Sequence, residues 1–192
     1  MNTKEMIIDA AINNIAEYGE RGATMQKIAV DCDIKPASIY YFYKNKEEII
    51  TKVLERVLAN HFQAMSETYD MSSELNPLET MQEMLEAIAK HHFKNAAERK
   101  VYTELMESSE DKYRERVTSY LDTYNDWLHD NLMKKLNDSF VDNNDLKKVL
   151  EHFLLIGNGV FWATNIYSEE QLQLDVKTAK QLMAYAYNAI LF

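Results

Sequence analysis

The sequence predicts an all-α fold. Apolar residues recur at helical spacing along most of its length, and no stretch alternates with the period of a strand. Only four Gly and two Pro interrupt 192 residues, and apolar residues make up 46% of them against 27% charged. That balance belongs to a globular chain with one or two buried cores, not a disordered or low-complexity one. A single cysteine, Cys32, excludes an intramolecular disulfide and suits a reducing, cytoplasmic setting. The opening MNTKEMIIDAA lacks the apolar core of a signal peptide. No apolar run approaches the roughly 20 residues of a membrane-crossing helix, so no membrane partner is expected.

The helices follow in order. Ile8, Ala11, Ile12, Ile15 and Ala16 form one apolar stripe, and Gly19 is a natural C-terminal stop. Thr24 can cap a second helix, where Met25, Ile28, Ala29 and Cys32 share a face. After a break at Asp33-Ile34, Pro36 fits the first position of a third helix reaching Phe42 through Ile39. Asn45 with Glu48 resembles a capping box and opens a longer helix striped by Ile50, Val53, Leu54, Val57, Leu58, His61 and Met65.

The polar stretch Ser66–Asn76 interrupts this pattern. Asn76-Pro77-Leu78-Glu79 is a second capping start, followed by Met81, Met84, Leu85, Ile88 and the His91-His92-Phe93 cluster. A short helix is expected near Glu98–Ser108, and a long one over about Glu110–Leu136 carrying Tyr113, Val117, Tyr120, Tyr124 and Leu128. A polar break at Asn137–Asn144 precedes two closing helices near Asp145–Tyr167 and Glu169–Leu191, with Ser168 and Gln171 boxing the last. The total is about nine helices, with no internal repeat.

The net charge is −10, but its distribution is uneven. Residues 1–52 hold seven Lys/Arg and eight Asp/Glu, and Ile34–Lys46 carries three Lys and no acid. An acidic body with a locally basic spot can still meet phosphates. Thr24–Asp31, the turn Cys32-Asp33-Ile34 and Lys35–Phe42 have the size of a helix-turn-helix. The second helix would offer Lys35, Ser38, Tyr40 and Tyr41 outward, with Lys44 and Lys46 just beyond and Ile39 turned to the core. The pattern alone fits equally an ordinary pair of short helices in a bundle.

Residues 6–54 resemble the N-terminal domain of the TetR family of transcriptional regulators. The likeness lies in the helix from Ile8 to Gly19, the Thr24-Met25 entry, Ile28-Ala29, the Ile39-Tyr40 pair and the Asn45-Lys46-Glu47-Glu48 opening. It covers about a quarter of the chain by motif; the remaining helices fit the family in number and length. The chain departs from the family with Asp33 where the turn often has Gly, with Phe42 and Tyr43 where His and Phe are common, and with Pro36 and Ala37 at usually small polar or glycine positions. Asp tolerates the left-handed conformation, so the turn stays feasible.

The resemblance implies a three-helix DNA-binding domain over residues 1–46, joined by the fourth helix to a helical ligand-binding and dimerisation domain over residues 47–192. Thr24 and Gln26 would reach a phosphate or base edge. Lys35 would meet a phosphate or guanine, and Ala37 a thymine methyl. Tyr40 and Tyr41 would donate to phosphates, and Lys46 would clamp the backbone. The recognition helix has no arginine, so base specificity is expected to be modest and sharpened by dimer spacing and DNA shape.

The family further implies a homodimeric repressor, bound to a palindromic double-stranded operator and released by a small apolar or aromatic effector. Expected pocket residues are Met84, Ile88, His92, Tyr102, Met106, Tyr120, Tyr124, Trp127, Phe161, Trp162 and Asn165, flat or deformable side chains with a few polar tips. The same residues also read as plain core. The expected dimer surface is Gly157, Val160, Val176, Ala179, Met183, Ala186 and Ile190, with Leu182, Tyr185 and Phe192 on a second line. Gly157 and Gly159 inside a helix suggest close approach, a kink or ligand room.

No enzyme is expected, since the chain has no nucleotide-binding glycine loop, Gly-x-Ser-x-Gly, His-Glu-x-x-His or triad. Neither metal nor cofactor is expected, because adjacent His91 and His92 point about 100° apart on a helix. Two alternatives stand beside the repressor. One is a DNA-binding regulator controlled by a protein partner. The other is an all-α small-molecule-binding protein whose helix pair does not read DNA.

Overall fold

The computed structural model describes residues 2–108, 111–137 and 142–191. Among them the order is α1 (Thr3–Gly22), α2 (Met25–Asp31), a 3₁₀ helix η1 (Pro36–Tyr41), α3 (Lys46–Met71), α4 (Pro77–Lys94), α5 (Ala96–Met106), α6 (Asp111–Asn137), α7 (Asn143–Ile166) and α8 (Glu169–Leu191), with no strand. The all-α expectation holds. The expected helix start at Glu110, the centre of the 137–144 break and Phe192 lie outside the described residues.

Local signals set most of the ends. Asn2 caps α1 by accepting from the Lys4 N–H, and Thr24 caps α2 by accepting from Lys27 N–H at 3.2 Å. Gly19, with φ +73°, takes the backbone out of the helical region where a stop was expected. Asn45 accepts from Glu48 N–H at 2.8 Å while the Glu48 carboxylate accepts from Lys44 N–H at 2.7 Å. Asn76 accepts from Glu79 N–H at 3.0 Å and the Glu79 carboxylate accepts from Asn76 N–H at 3.1 Å, a reciprocal capping box.

Two expectations change. The third helix is 3₁₀ rather than α: Ser38 N–H bonds Lys35 O and Phe42 N–H bonds Ile39 O, both three residues back. With Pro36 lacking an N–H and only six residues to work with, the tighter ladder satisfies the segment. Second, Ser66–Met71 is not a break but the last turns of α3. Tyr69 there donates to Asn131 O on α6 at 2.9 Å and packs its ring on Trp127, so tertiary docking outweighs local polarity.

The chain divides into two compact units. The first is Met1–Asn60 with Asn95–Tyr120, the second His61–Lys94 with Leu121–Phe192. In the first, Ile7, Ile15, Ile28, Ile39, Ile49 and Leu54 are fully buried together with Val101 and Leu105 of α5, which packs along α1. Asn14 is buried between α1 and α2, and Arg56 of α3 pairs with Glu5 and Asp9 of α1. In the second unit α4, α7 and α8 pack on one another around Met81, Met84, Leu85, Phe153 and Met183. Lys135 of α6 caps the end of α3 there, donating to Ser72 O at 2.5 Å and to Thr80 Oγ1 at 3.1 Å.

Candidate nucleic-acid interface

The turn between α2 and η1 is closed by backbone bonds from Cys32 N–H to Ala29 O and from Ile34 N–H to Ala29 O. Between them Asp33 takes φ +53°, the left-handed conformation that an Asp accepts at low cost. Ile28, Ala29 and Ile39 lock the two short helices together through buried apolar contact. Cys32 is buried, its thiol donating to Met6 O at 3.4 Å, and burial raises its pKa, so it is a core group rather than a reactive one.

This packing leaves one face of η1 in solvent. Tyr41 is 88% exposed and Tyr40 57%, and Lys35, Ala37 and Lys44 are exposed while Ser38 is half-buried. Thr24 and Gln26 are exposed at the start of α2. Lys27, which the sequence reading passed over, is exposed beside them with its ammonium 3.9 Å from the centre of the Tyr18 ring. The signal for it was present: it lies in the first turn of α2, three residues past its cap.

Lys46 differs from the expectation of a free backbone clamp. Its Nζ donates to Glu20 O at 2.7 Å and lies 3.1 Å from the Glu20 carboxylate. Tyr43, where the family often has Phe, is buried, and its hydroxyl donates to Lys4 O at 3.4 Å. Burial raises its pKa, so it stays a neutral donor.

The residue-level likeness now has a shape to stand on, and the comparisons agree with it. The family model "Bacterial regulatory proteins, tetR family" matches residues 7–53. The biofilm operon icaADBC HTH-type negative transcriptional regulator IcaR of Staphylococcus epidermidis is 30% identical over 155 residues, covering 79% of this chain and 80% of its own. The chain belongs to the TetR family. A second relative, the fatty acid metabolism regulator protein of Bacillus subtilis, is 30% identical over 87 residues, 45% of this chain and 42% of its own. The structure of FadR from Bacillus subtilis in complex with stearoyl-CoA shares the fold, with TM-score 0.76 and 20% identity over 95% of this chain and 98% of that one. As a TetR-family member the chain is a DNA-binding transcriptional regulator, and no helix among its described residues is long and apolar enough to cross a membrane.

The expected effector residues of this TetR-family chain fall in both units. Met84, Ile88, His92, Tyr124, Trp127, Phe161, Trp162 and Asn165 belong to the second unit, whereas Tyr102, Met106 and Tyr120 belong to the first. Trp162 is 51% exposed, and Asn165 is exposed with its amide on Phe161 O. The remaining rings pack on one another: His92–Phe161 at 4.7 Å, His61–Tyr124 at 5.1 Å, His61–His92 and Phe62–Trp127 at 5.2 Å. His61 and Phe62 were missed as members because they lie on α3, far away in sequence. Burial, with a smaller contribution from charge on His91, pushes the His61 pKa down to about 3, so this ring is neutral in ordinary buffers. Burial likewise lowers His91 and raises Tyr124.

A groove of about 660 Å³ opens instead between α4 and α8, and none of the expected pocket residues line it. Its floor includes Phe93, Leu172 and Val176, and its rim Gln82, Lys90 and Lys177.

The expected dimer line runs along a largely buried side of α7 and α8. Val160, Val176, Ala179 and Met183 are spent on the chain's own core, and Ala186 and Ile190 are half-buried. Gly157 faces α4: a Cβ there would stand 3.3 Å from Ile88 Cδ1. The exposed apolar line of the same helices is Leu155, Trp162 and Ile166 on α7, with Leu174, Leu182 and Tyr185 on α8. Gly159 falls on that α7 line, and a Cβ added to it would meet nothing within 4 Å.

Proposed function

We propose that this TetR-family chain is a homodimeric repressor that binds a palindromic operator and leaves it when a small apolar or aromatic effector binds. The observation that carries the DNA part is the solvent face of η1. Tyr40 and Tyr41 stand exposed on a short helix whose Ile39 is fully buried, with Lys35 and Lys44 exposed on either side of it. In this reading residues 1–46 make the DNA contacts, through Thr24, Gln26, Lys35, Ala37, Ser38, Tyr40, Tyr41 and Lys44, and residues 47–192 bind effector and partner. Repression is supported by the relative named as a negative transcriptional regulator.

The dimer in this reading forms through Leu155, Gly159, Trp162 and Ile166 of α7 and Leu174, Leu182 and Tyr185 of α8. An apolar stripe of that size on two adjacent helices is costly to leave in water. The effector occupies the groove between α4 and α8, whose volume suits a drug-sized molecule with an apolar body and a polar end. The neighbour that holds stearoyl-CoA makes long acyl compounds the first class to screen.

Selection of bound duplexes from a random pool, followed by sequencing, tests the reading. A palindromic motif is the expected outcome. Recovery of nothing above background at low salt, both before and after denaturing and refolding the protein to strip ligand, would overturn it.

A further inference from the structure

The corner where α1 ends concentrates three contacts on one residue, Glu20. Its N–H donates to Oε1 of Glu104 on α5 at 2.9 Å. Its carbonyl accepts from Lys46 Nζ at 2.7 Å, and its carboxylate stands 3.1 Å from the same ammonium. Lys46 is the first residue of α3, five positions after η1 ends at Tyr41. Three elements of the first unit therefore meet at a single residue: α5 at its nitrogen, α3 at its oxygen and side chain, and α1 as its own helix.

The bend at Gly19 makes this arrangement possible. Its φ of +73° turns the following N–H away from the helix axis, and the Glu104 carboxylate receives it. A Cβ on Gly19 would lie 2.9 Å from Glu104 Oε1, and the positive φ there is itself one that a side chain strains to adopt. The Lys46–Glu20 pair is partly shielded, with side chains 31% and 17% exposed. An ammonium has three donors, and two of those on Lys46 are committed here.

We propose that Glu104 is a positioning residue for DNA binding. By holding the Glu20 peptide it fixes the site on which Lys46 rests, and thereby the start of α3 and the segment that ends the reading helix. The proposal rests on the DNA-binding reading given above. It assigns a role to α5, an element with no residue on the DNA-facing surface. Along the chain α5 follows α4 of the other unit after the single residue Asn95.

The test uses the full-length protein and the palindromic duplex that it selects from a random pool, with Glu104→Ala, Glu104→Gln and Lys46→Met variants. Operator affinity, thermal midpoint and amide exchange at Glu20 are read for each. Glu104→Ala is expected to speed exchange of the Glu20 amide and weaken operator binding about tenfold, the scale of one charge-assisted hydrogen bond. Glu104 is exposed, so the midpoint stays within about 2 °C. Glu104→Gln keeps an oxygen that accepts the Glu20 N–H and restores affinity to within about threefold. In the Lys46→Met background, Glu104→Ala has no further effect on binding, because the route runs through Lys46.

Wild-type affinity in Glu104→Ala would overturn the proposal. So would a loss of binding that tracks a fall in midpoint, failure of Glu104→Gln to rescue, or additive losses in the double variant. A pool that yields no palindrome overturns the DNA reading and this proposal with it. A palindrome bound equally well by Glu104→Ala overturns this proposal alone.

Discussion

Asn14 spans the gap between α1 and the end of α2: its buried amide donates to Asp31 Oδ2 at 2.6 Å and to Ala10 O at 2.8 Å. Asp31 is the last residue of α2, next to the turn that aims η1. One side chain thus fixes the angle at which the first reading element leaves the support helix. Its own Oδ1 is buried without a partner, a cost accepted in exchange for the two donated bonds.

Asn14→Ala should therefore destabilise the first unit by about 2 kcal/mol, the worth of a hydrogen bond to a charged group plus a small cavity. Urea unfolding checks this. Asn14→Asp should be worse at neutral pH, since it sets a second carboxylate against Asp31. It should recover as pH falls, because either carboxyl, once protonated, becomes a donor. Equal stability of the two variants at every pH would show that Asp31 does not matter.

Acid sensitivity should begin at the ring cluster of the second unit. His61 has its folded pKa depressed to about 3 by burial, against an ordinary imidazole value of 6.5. The unfolded chain therefore binds a proton that the folded chain refuses, and stability falls as pH drops from 6.5 toward 3. Glu86, held down to about 2 by its hydrogen bonds with Lys180 and Lys90, adds to the loss only once pH passes below 4.5. The interval from 6.5 to 4.5 separates the imidazoles from Glu86. His61→Phe should flatten the midpoint-versus-pH curve in that interval, and a slope unchanged from wild type would place the acid response elsewhere.

Leu182→Glu should separate the copies. The side chain is exposed on α8, so a carboxylate there leaves the protomer core intact. Sedimentation should shift from dimer to monomer while helical content stays constant. Met183→Glu, one position on, should instead unfold the second unit, because Met183 is fully buried. The contrast between neighbouring positions tests which side of α8 meets a partner.

On the reading face, Lys44→Ala should lower the slope of log affinity against log salt by roughly 0.9, as one phosphate contact is lost. Tyr40→Phe should weaken binding with no change in that slope, since a hydroxyl releases no counterion. Lys46→Ala should move the slope less than Lys44→Ala, because Glu20 already neutralises it. An equal effect of the two lysines would mean that Lys46 leaves Glu20 when DNA arrives.

Much of the fold was legible because its signals are local. The pairs Asn45/Glu48 and Asn76/Glu79 announce helix starts within four residues, and Gly19 announces its bend by itself. The outward set on η1 was legible too, since six residues with one large aliphatic member leave little choice of face. What stayed hidden depends on distant partners. Ser66–Met71 reads as polar loop until Tyr69 finds Trp127. On α8 two apolar lines, Val176–Met183 and Leu174–Leu182, both run at helical spacing, and only the packing of α4 and α7 decides which one is inside. Lys46 looked like a free cation because Glu20 lies 26 residues away.

The first unit is assembled from two separate stretches of chain, 1–60 and 95–120. Recombination in this family therefore has an awkward seam. A chimera that exchanges the head by a single crossover near residue 46 would pair a foreign α1 with a native α5, losing the match between a glycine bend and the acid that fits it. Grafting a new DNA preference onto this sensor calls for two junctions, or for leaving α1 in place and rewriting only the exposed positions of η1.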